Sequence, residues 1–112
     1  GYWDYQDDWA EFIKFFDKLE LNNKTIALFG LGDQGNYPDS FVNALGHIHS
    51  VLCQENCKLI GKWPASYQYN FNSSEAFKNN EFVGLAIDND TQSELTDQRI
   101  KQWVDQIKEE FD

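Results

Sequence analysis

The sequence predicts an α/β fold in which a parallel sheet lies between two layers of helices. Three short apolar runs, near residues 25–30, 57–62 and 82–87, do not alternate with polar residues. That pattern is typical of strands buried on both faces. Segments with apolar residues at helical spacing alternate with these runs along the chain, and strands that alternate with helices form parallel sheets covered by helices.

The first predicted helix covers residues 7–19. Asp7 or Asp8 would cap it, because a carboxylate there accepts a hydrogen bond from a free backbone N–H of the first turn. Its apolar positions follow the i, i+3, i+4, i+7 spacing of an amphipathic helix. They are Trp9, Phe12, Ile13 and Phe16.

A glycine-rich loop follows the first predicted strand. Glycines at positions 30, 32 and 35 interrupt the apolar run, and Pro38 is placed like a first-turn proline of the next helix. The loop lies at the carboxyl end of a parallel strand, which is the edge where open α/β sheets bind ligands. It carries one acid, Asp33, and one aromatic residue, Tyr37.

The second predicted helix covers residues 38–55, and its inward-facing residues are Phe41, Leu45, Ile48 and Leu52. Gly46 within it costs about 1 kcal/mol of helix stability relative to alanine. We interpret this glycine as permitting close approach of the helix to the sheet.

The region between the second and third strands is rich in aromatic residues. Trp63-Pro64 ends the second strand, and Tyr67, Tyr69 and Phe71 then alternate with polar residues. This alternation predicts an extended segment with one aromatic face. Residues 73–77 are predicted to form a single helical turn.

The last predicted helix starts at Thr96 as its N-cap. Leu95 is placed to pack against Ile100 as a hydrophobic staple. The apolar stripe of this helix consists of Ile100, Trp103, Val104, Ile107 and Phe111.

Composition limits the function classes. The 112 residues suffice for one domain, 1–112, and no apolar run approaches the roughly 20 residues of a membrane span. A formal charge of -10 argues against nucleic-acid binding and favours a basic protein partner, although a solvated acidic surface explains it equally well.

The chain contains no methionine. We therefore expect an excised piece, a removed upstream segment, or an upstream part in another chain.

Several motifs occur in a characteristic order. They are Gly30-Leu31-Gly32-Asp33-Gln34 with Tyr37, Trp63-Pro64, Tyr69-Asn70-Phe71, residues 82–90, Leu95-Thr96, Arg99-Ile100 and Trp103. Together they resemble the carboxyl-terminal part of a long-chain flavodoxin, and residues 67–71 resemble the insertion of that group. The resemblance implies a flavodoxin-like three-layer sandwich with a parallel sheet, incomplete in this chain, which corresponds to the carboxyl-terminal two thirds of a family member.

The chain departs from the family in one respect. Flavodoxins hold the phosphate of FMN in a Ser/Thr-rich loop after their first strand, and no such loop is found in these 112 residues. The family is doubly wound with strand order 2-1-3-4-5 and FMN at the switch point between strands 1 and 3. The resemblance therefore implies that a complementary chain, or dimerisation with exchange of elements, completes the sheet.

The resemblance also implies roles for five residues. Tyr37 would stack on the isoalloxazine ring, the backbone of Gly32, Asp33 and Gln34 would bond its pyrimidine end, and Asp90 would lie near the edge of the ring. The residue types alone leave other interpretations open. Asp33 is also a common turn residue, and Tyr37 could cover the next helix as a rim aromatic.

Two functions follow as expectations. The first is a flavodoxin-type single-electron carrier that uses FMN, exchanges electrons with basic redox proteins such as a flavodoxin reductase, and catalyses no substrate chemistry. Its expected location is the cytoplasm, or the stroma of a plastid. The second is a truncated flavodoxin-like subunit that binds protein or has a structural role and no longer binds flavin.

Other candidate sites are weaker. His49, Cys53 and Cys57 stand at i, i+4 and i+8, but two cysteines are weak evidence for a metal site, and incidental thiols are the favoured interpretation. A disulfide between them would require the backbone to bend. Asp88 and Asp90 could suggest magnesium or acid–base chemistry, yet an acidic loop after a strand is usually solvated. No metal site or catalytic residue is predicted.

Overall fold

The computed structural model describes residues 21–65 and 68–111, so the predicted helix 7–19 and Tyr67 lie outside the described residues. The strands are β1 (Thr25–Ala27), β2 (Phe29–Leu31), β3 (Lys58–Ile60), β4 (Trp63–Pro64), β5 (Phe77–Lys78), β6 (Glu81–Phe82) and β7 (Leu85–Ile87). The helices are α1 (Asn43–Leu52) and α2 (Ser93–Glu110).

β1 and β2 are two halves of one extended segment, and each half has a parallel partner. β1 pairs with β3, with Thr25 opposite Lys58, and β2 pairs with β7, with Phe29 opposite Leu85. The prediction of parallel strands near residues 25–30, 57–62 and 82–87 is therefore confirmed.

β3 and β7 lie in series on the same edge of the segment 25–31. On this edge Lys24 O accepts a hydrogen bond from the start of β3, Leu28 O accepts one from the start of β7, and Gly32 N donates to the end of β7. These backbone groups belong to even-numbered residues, which point toward one edge because a strand alternates with period 2. The third predicted strand thus continues the ladder of the second.

The region between β3 and β7, called the insertion from here on, builds a small antiparallel sheet of order β4-β6-β5. Asn79 and Asn80 connect β5 to β6 with φ angles of 55° and 66°. Two consecutive residues with positive φ form the tight turn that antiparallel hairpins prefer, and asparagine tolerates this conformation. The predicted helical turn over 73–77 is wrong, because residue 77 already belongs to the hairpin.

The sheet has an apolar cluster on each face, which confirms the three-layer sandwich. On one face, α1 and the insertion bury Phe41, Val42, Leu45, Ala76, Phe82, Val83 and Ala86. On the other face, α2 packs through Trp103 against Leu85 and Ile87. Tyr69 and Phe71 both contact Phe41 and Phe82, as the alternation of the aromatic segment predicts.

α1 begins five residues later than the predicted start at Pro38. The carbonyl of Pro38 accepts hydrogen bonds from the backbone N–H groups of Asn72 and Ser73, and Ser73 Oγ donates to the carbonyl of Asp39. These carbonyls are therefore bonded to the insertion instead of to a helical turn. Val42, which precedes the helix, has a left-handed conformation with φ 48°.

α2 begins three residues before the predicted cap, and Thr96 lies inside it. The N–H of Gln92, the residue before the helix, donates to the carbonyl of Asp88, so the chain turns earlier than the capping motif indicates. The predicted stripe is also shifted. Ile100 is exposed, whereas Arg99 is buried and lies over the ring of Tyr69.

Gly46 permits close approach of α1 to the insertion and not to the sheet. A β-carbon at Gly46 would lie 2.5 Å from the carbonyl oxygen of Glu75 and 2.8 Å from the backbone nitrogen of Ala76. Asn43 Oδ1, one turn earlier in the helix, accepts a hydrogen bond from the N–H of Glu75. The insertion backbone therefore lies directly against the first half of α1.

We predict that Gly46→Ala destabilises the protein although alanine is the better helix former. The propensity gain is about 1 kcal/mol, whereas overpacking costs about 1–3 kcal/mol, and its upper end applies where the neighbour is backbone. We expect a net loss of about 1–2 kcal/mol in the free energy of urea unfolding. Ala44→Gly, at an exposed position of the same helix, measures the propensity term alone. An increase in stability of Gly46→Ala would contradict this packing.

Candidate functional site

An open cleft of about 1060 Å³ lies at the carboxyl edge of β2 and beside the loop that follows β7. Gly32, Asp33, Tyr37 and Asp90 all line it. Two loops that are distant in sequence meet here because parallel strands end at the same edge of a sheet. Four of the five predicted ligand-binding residues therefore share one cleft, and their contacts with a flavin stay a prediction.

Asp33 shapes the loop through its side chain. Its Oδ1 accepts hydrogen bonds from the backbone N–H groups of Gly35 (2.9 Å) and Asn36 (3.0 Å), and its Oδ2 accepts one from Asn36 Nδ2 (2.7 Å). The backbone N–H of Tyr37 donates to the carbonyl of Asp33. Aspartate in this arrangement closes a turn on its own backbone. Asp33 thus has the turn role considered from sequence while it also lines the cleft.

Tyr37 stands at the rim of the cleft with 54% of its surface exposed. A half-exposed aromatic ring offers a flat apolar face to a planar ligand. The neighbouring Phe41, by contrast, is fully buried in the apolar cluster under α1.

Gln34, the fifth predicted residue, is buried and does not line the cleft. Its backbone N–H and its side-chain Nε2 both donate to Asp88 Oδ2, at 2.9 and 2.8 Å. The N–H that was predicted to face a ligand therefore has a protein partner. The predicted contacts of the flavin with the rest of the backbone from Gly32 to Gln34 stay a prediction.

Asp88 follows β7 directly and is completely buried. Besides the two bonds from Gln34, it accepts hydrogen bonds from Thr91 N, Thr91 Oγ1 and Asp90 N. Burial alone would raise the pKa of this carboxyl, but the hydrogen bonds from Thr91 and Gln34 outweigh burial and lower the pKa. Asp88 is thus a buried anion that joins the two loops of the cleft.

The sequence offered one sign of this role. Asp88 comes immediately after an uninterrupted apolar strand, which places its side chain near the core, whereas Asp90 two residues later is exposed. The prediction of a solvated acidic loop is wrong for Asp88, which has no exposed surface.

Asp33, Asp88 and Asp90 bring carboxylate oxygens within 4.8 Å of one another. Among residues 21–65 and 68–111, this is the group whose spacing would suit a metal ion. Both oxygens of Asp88 are already occupied by protein donors. The cluster therefore acts as a local concentration of negative charge.

His49, Cys53 and Cys57, which were considered as a metal site from their spacing, do not come together as one. α1 ends at Leu52, and Cys53 Sγ lies 3.5 Å from His49 Nδ1, whereas Cys57 Sγ contacts the carbonyl of Leu52 at 3.5 Å. Burial raises the pKa of the Cys57 thiol, which keeps it protonated at neutral pH.

The charged lining of the cleft is mainly acidic. Its ionisable side chains besides Tyr37 are Asp33, Asp90, Glu75 and His47, and His47 is paired with Glu75. A planar uncharged ring suits such a surface, whereas a phosphate would be repelled by it. The described residues around this cleft thus suit a planar uncharged group and disfavour an anion.

The other edge of the segment 25–31 carries no strand among the described residues. Phe29 and Leu31 on this segment are 63% and 66% exposed. Large apolar side chains at the centre of a sheet are normally covered, and an open edge presents unpaired backbone groups. This face of the described fold is suited to receive a further layer.

Comparison with known proteins gives a consistent result. A sequence profile of the flavodoxin family matches residues 3–103. A flavodoxin from Nostoc sp. strain PCC 7120 is 45% identical over 106 residues, which are 95% of this chain and 62% of the relative. Flavodoxin 1 from Escherichia coli K12 is 41% identical over 111 residues, 98% of this chain and 62% of the relative. The chain thus spans less than two thirds of the relatives that it matches.

Solved structures agree with the sequence comparison. The crystal structure of Fusobacterium nucleatum flavodoxin bound to flavin mononucleotide superposes with a TM-score of 0.83 at 27% identity. The match covers 93% of this chain and 62% of that one.

We predict that Asp88→Asn lowers the free energy of unfolding at pH 7 by about 2 kcal/mol or more, because a buried donor left without an acceptor costs about 1–3 kcal/mol. The folded pKa of Asp88 is lowered, so its contribution is fully present above the unfolded pKa of about 4 and is lost as the pH falls through the folded pKa. Urea unfolding from pH 3 to 7 should therefore show the two proteins converging below about pH 4. Asp97→Asn, at an exposed site on α2, should show no such convergence. A constant difference across this range would show that ionised Asp88 is not the stabilising species.

Proposed function

Because the chain belongs to the flavodoxin family, we propose that it holds the isoalloxazine ring of FMN and serves in single-electron transfer. The observation that carries this proposal is the cleft in which Gly32, Asp33, Tyr37 and Asp90 meet at the carboxyl edge of a parallel sheet. The Fusobacterium structure with the same fold contains flavin mononucleotide. No catalytic residue is assigned, because the proposed activity is electron transfer and not turnover of a substrate.

FMN would supply reversible acceptance of single electrons. In this proposal the half-exposed ring of Tyr37 stacks on the flavin. Backbone groups of Gly32 and Asp33 bond its polar edge, apart from the Gly32 N–H, which donates to the carbonyl of Ile87. Asp33 and Asp90 place negative charge beside the ring. Since added electrons make the ring more negative, these acids oppose reduction and lower the potential.

The phosphate requires residues beyond the described cleft, whose charged lining is mainly acidic. We propose that a complementary polypeptide segment supplies the phosphate-binding loop, pairs with the open edge of the segment 25–31 and covers Phe29 and Leu31 on the adjoining face. Homodimerisation through the same edge is the alternative. In either case the partner buries apolar surface and pairs backbone groups that the described fold leaves open.

The chain carries a formal charge of -10, and this supports a basic redox partner such as a flavodoxin reductase. Attraction between opposite charges accelerates encounter without requiring a large interface, which suits brief electron-transfer complexes. We propose the cytoplasm, or a plastid stroma, as the place where such a carrier works. Neither described helix is long and apolar enough to cross a bilayer.

The second candidate function is a protein-binding subunit that holds no flavin. The exposed Phe29 and Leu31 favour it, because they indicate a protein contact whether or not a flavin is present. The absorption spectrum distinguishes the two candidates, since bound flavin gives a yellow protein.

We predict that the 112-residue chain alone binds FMN and riboflavin with similar, weak affinity. Each lost charge-assisted hydrogen bond to the phosphate is worth about 1.5–3 kcal/mol, and about 1.4 kcal/mol corresponds to a tenfold change in Kd. Adding the complementary amino-terminal segment should strengthen FMN binding by orders of magnitude and riboflavin binding far less. Flavin fluorescence quenching measures both. Nanomolar FMN binding by the chain alone, much tighter than riboflavin binding, would place the phosphate site within this chain.

In the reconstituted complex, Tyr37→Ala should weaken binding of FMN and riboflavin by the same factor of about tenfold or more, because an aromatic stack is worth about 0.5–1.5 kcal/mol beyond its buried area. Tyr37→Phe is the matched control and should retain most of the affinity. Equal binding by all three proteins would remove Tyr37 from the ring site.

We further predict that the isolated chain does not sediment as a monomer. At micromolar concentration the open edge of the segment 25–31, with Phe29 and Leu31 on the adjoining face, should associate with a second copy, or with the complementary segment when that is present. Sedimentation velocity measures this directly. A single monomeric boundary together with a cooperative thermal transition would refute it.

A further inference from the structure

The carboxamide of Gln34 contacts three separate segments of the chain. Its Nε2 donates to Asp88 Oδ2 at 2.8 Å and to Gln92 Oε1 at 2.9 Å, and its Oε1 accepts the backbone N–H of Asn70. Only 5% of Gln34 is exposed. Both N–H groups and the carbonyl of one buried amide are thus bonded to the loop after β7, the start of α2 and the insertion.

The network extends from a buried anion to a buried cation. Gln92 Oε1 also accepts from Arg99 Nη1 at 2.9 Å. Arg99 is 3% exposed, and its guanidinium carbon lies 4.0 Å from the ring centroid of Tyr69 in the insertion. Two amides, one buried and one half-buried, therefore bridge the carboxylate of Asp88 and the guanidinium of Arg99.

The insertion contacts the same loop a second time, on the far side of Tyr37. The backbone N–H groups of Asn72 and Ser73 donate to the carbonyl of Pro38 at 2.7 and 3.0 Å, and Asn72 Nδ2 donates to Asp39 Oδ1 at 3.0 Å. The loop is thus held at Gln34 on one side and at Pro38 and Asp39 on the other.

We infer that Gln34 is a positioning residue that couples the insertion to the ring-binding loop. Docking of Asn70–Ser73 and the geometry of Asp33–Tyr37 form one cooperative unit, and Gln34 joins its parts. A flavin bound at the loop then stabilises the docked insertion, and an undocked insertion weakens the ring site. This effect on flavin rests on the proposed function, whereas the coupling of loop and insertion does not.

Gln34→Glu tests the coupling because it keeps the size of the side chain and replaces the donor Nε2 by an acceptor. The new oxygen would face Asp88, with Asp33 and Asp90 nearby in the cluster and Arg99 on the opposite side beyond Gln92. Burial and the like charge of Asp88 raise the pKa of the introduced carboxyl. When protonated it donates to Asp88 again, so the damage should be smaller at pH 5.5 than at pH 8.

Hydrogen exchange in the full chain, without flavin, measures the effect of Gln34→Glu on the loop and on the insertion. The reporter amides are those of Tyr37, Asn72 and Ser73. The Tyr37 N–H donates to Asp33 within the loop, and the N–H groups of Asn72 and Ser73 donate across to Pro38. At pH 8 we expect their protection factors to fall together by about tenfold or more relative to wild type, as two lost hydrogen bonds of about 1 kcal/mol imply. At pH 5.5 the reduction should be smaller. Amides in the middle of α2 should change little.

Gln54→Glu, on an exposed site just after α1, adds the same charge and should leave all three amides unchanged. The double variant Gln34→Glu with Asp88→Asn exchanges donor and acceptor at constant net charge. Because Asp88→Asn alone also disturbs the bonds from Gln34 N and Thr91, the double variant is compared with both single variants. At pH 8 its loss of stability in urea unfolding should be smaller than the sum of the two single losses. If Gln34→Glu alone does not fold, a folded double variant supports the coupling and an unfolded one contradicts it. Unchanged protection at pH 8, loss confined to Tyr37, or strictly additive losses would each overturn the coupling.

Flavin binding is a separate readout in the reconstituted complex. Riboflavin affinity of Gln34→Glu should fall at pH 8 more than at pH 5.5, relative to wild type at each pH. A wild-type protein that binds no flavin would overturn the proposed function and leave the exchange result to decide the coupling.

Discussion

The buried carboxylate of Asp88 is the interaction on which the cleft depends. It accepts five hydrogen bonds, two from the loop after β2 and three from its own loop at the start of α2. An ionised group with no exposed surface is stable only when donors replace its hydration. These donors come from two loops, so the ionised form of Asp88 is stable only when both loops are in place at the carboxyl edge. The pKa of Asp88 is lowered because these hydrogen bonds outweigh the effect of burial, which raises it.

The insertion is an integral part of the layer that contains α1. It contributes Phe82 and Ala76 to the apolar cluster under α1, and Gly46 lets its backbone approach the helix to a distance that no β-carbon allows. Its hydrogen bonds to Pro38 and Asp39 explain why α1 starts at Asn43. The same contacts that shorten the helix also hold one end of the loop that bears Tyr37.

The open edge of the sheet and the cleft both adjoin the segment 25–31. The chain spans about 62% of its relatives, and the described fold leaves Phe29 and Leu31 exposed beside an edge without a strand. The charged lining of the cleft is mainly acidic and would repel a phosphate. Under the proposed function, ring recognition and phosphate recognition involve different residues, which is why comparison of riboflavin with FMN is informative.

The sequence by itself determined the parallel strands, because apolar runs are local signals. The order of its motifs identified the family, and that resemblance grouped Gly32, Asp33, Tyr37 and Asp90 at one site. Only the tertiary structure decided the start of α1, the burial of Arg99 in place of Ile100, and the role of Asp88. Each of these depends on a partner at least seven residues away, such as Asn72 for Pro38, Tyr69 for Arg99 and Gln34 for Asp88. Periodicity ranks residues by hydrophobicity, so it cannot show that a buried site supplies hydrogen bonds to a charge.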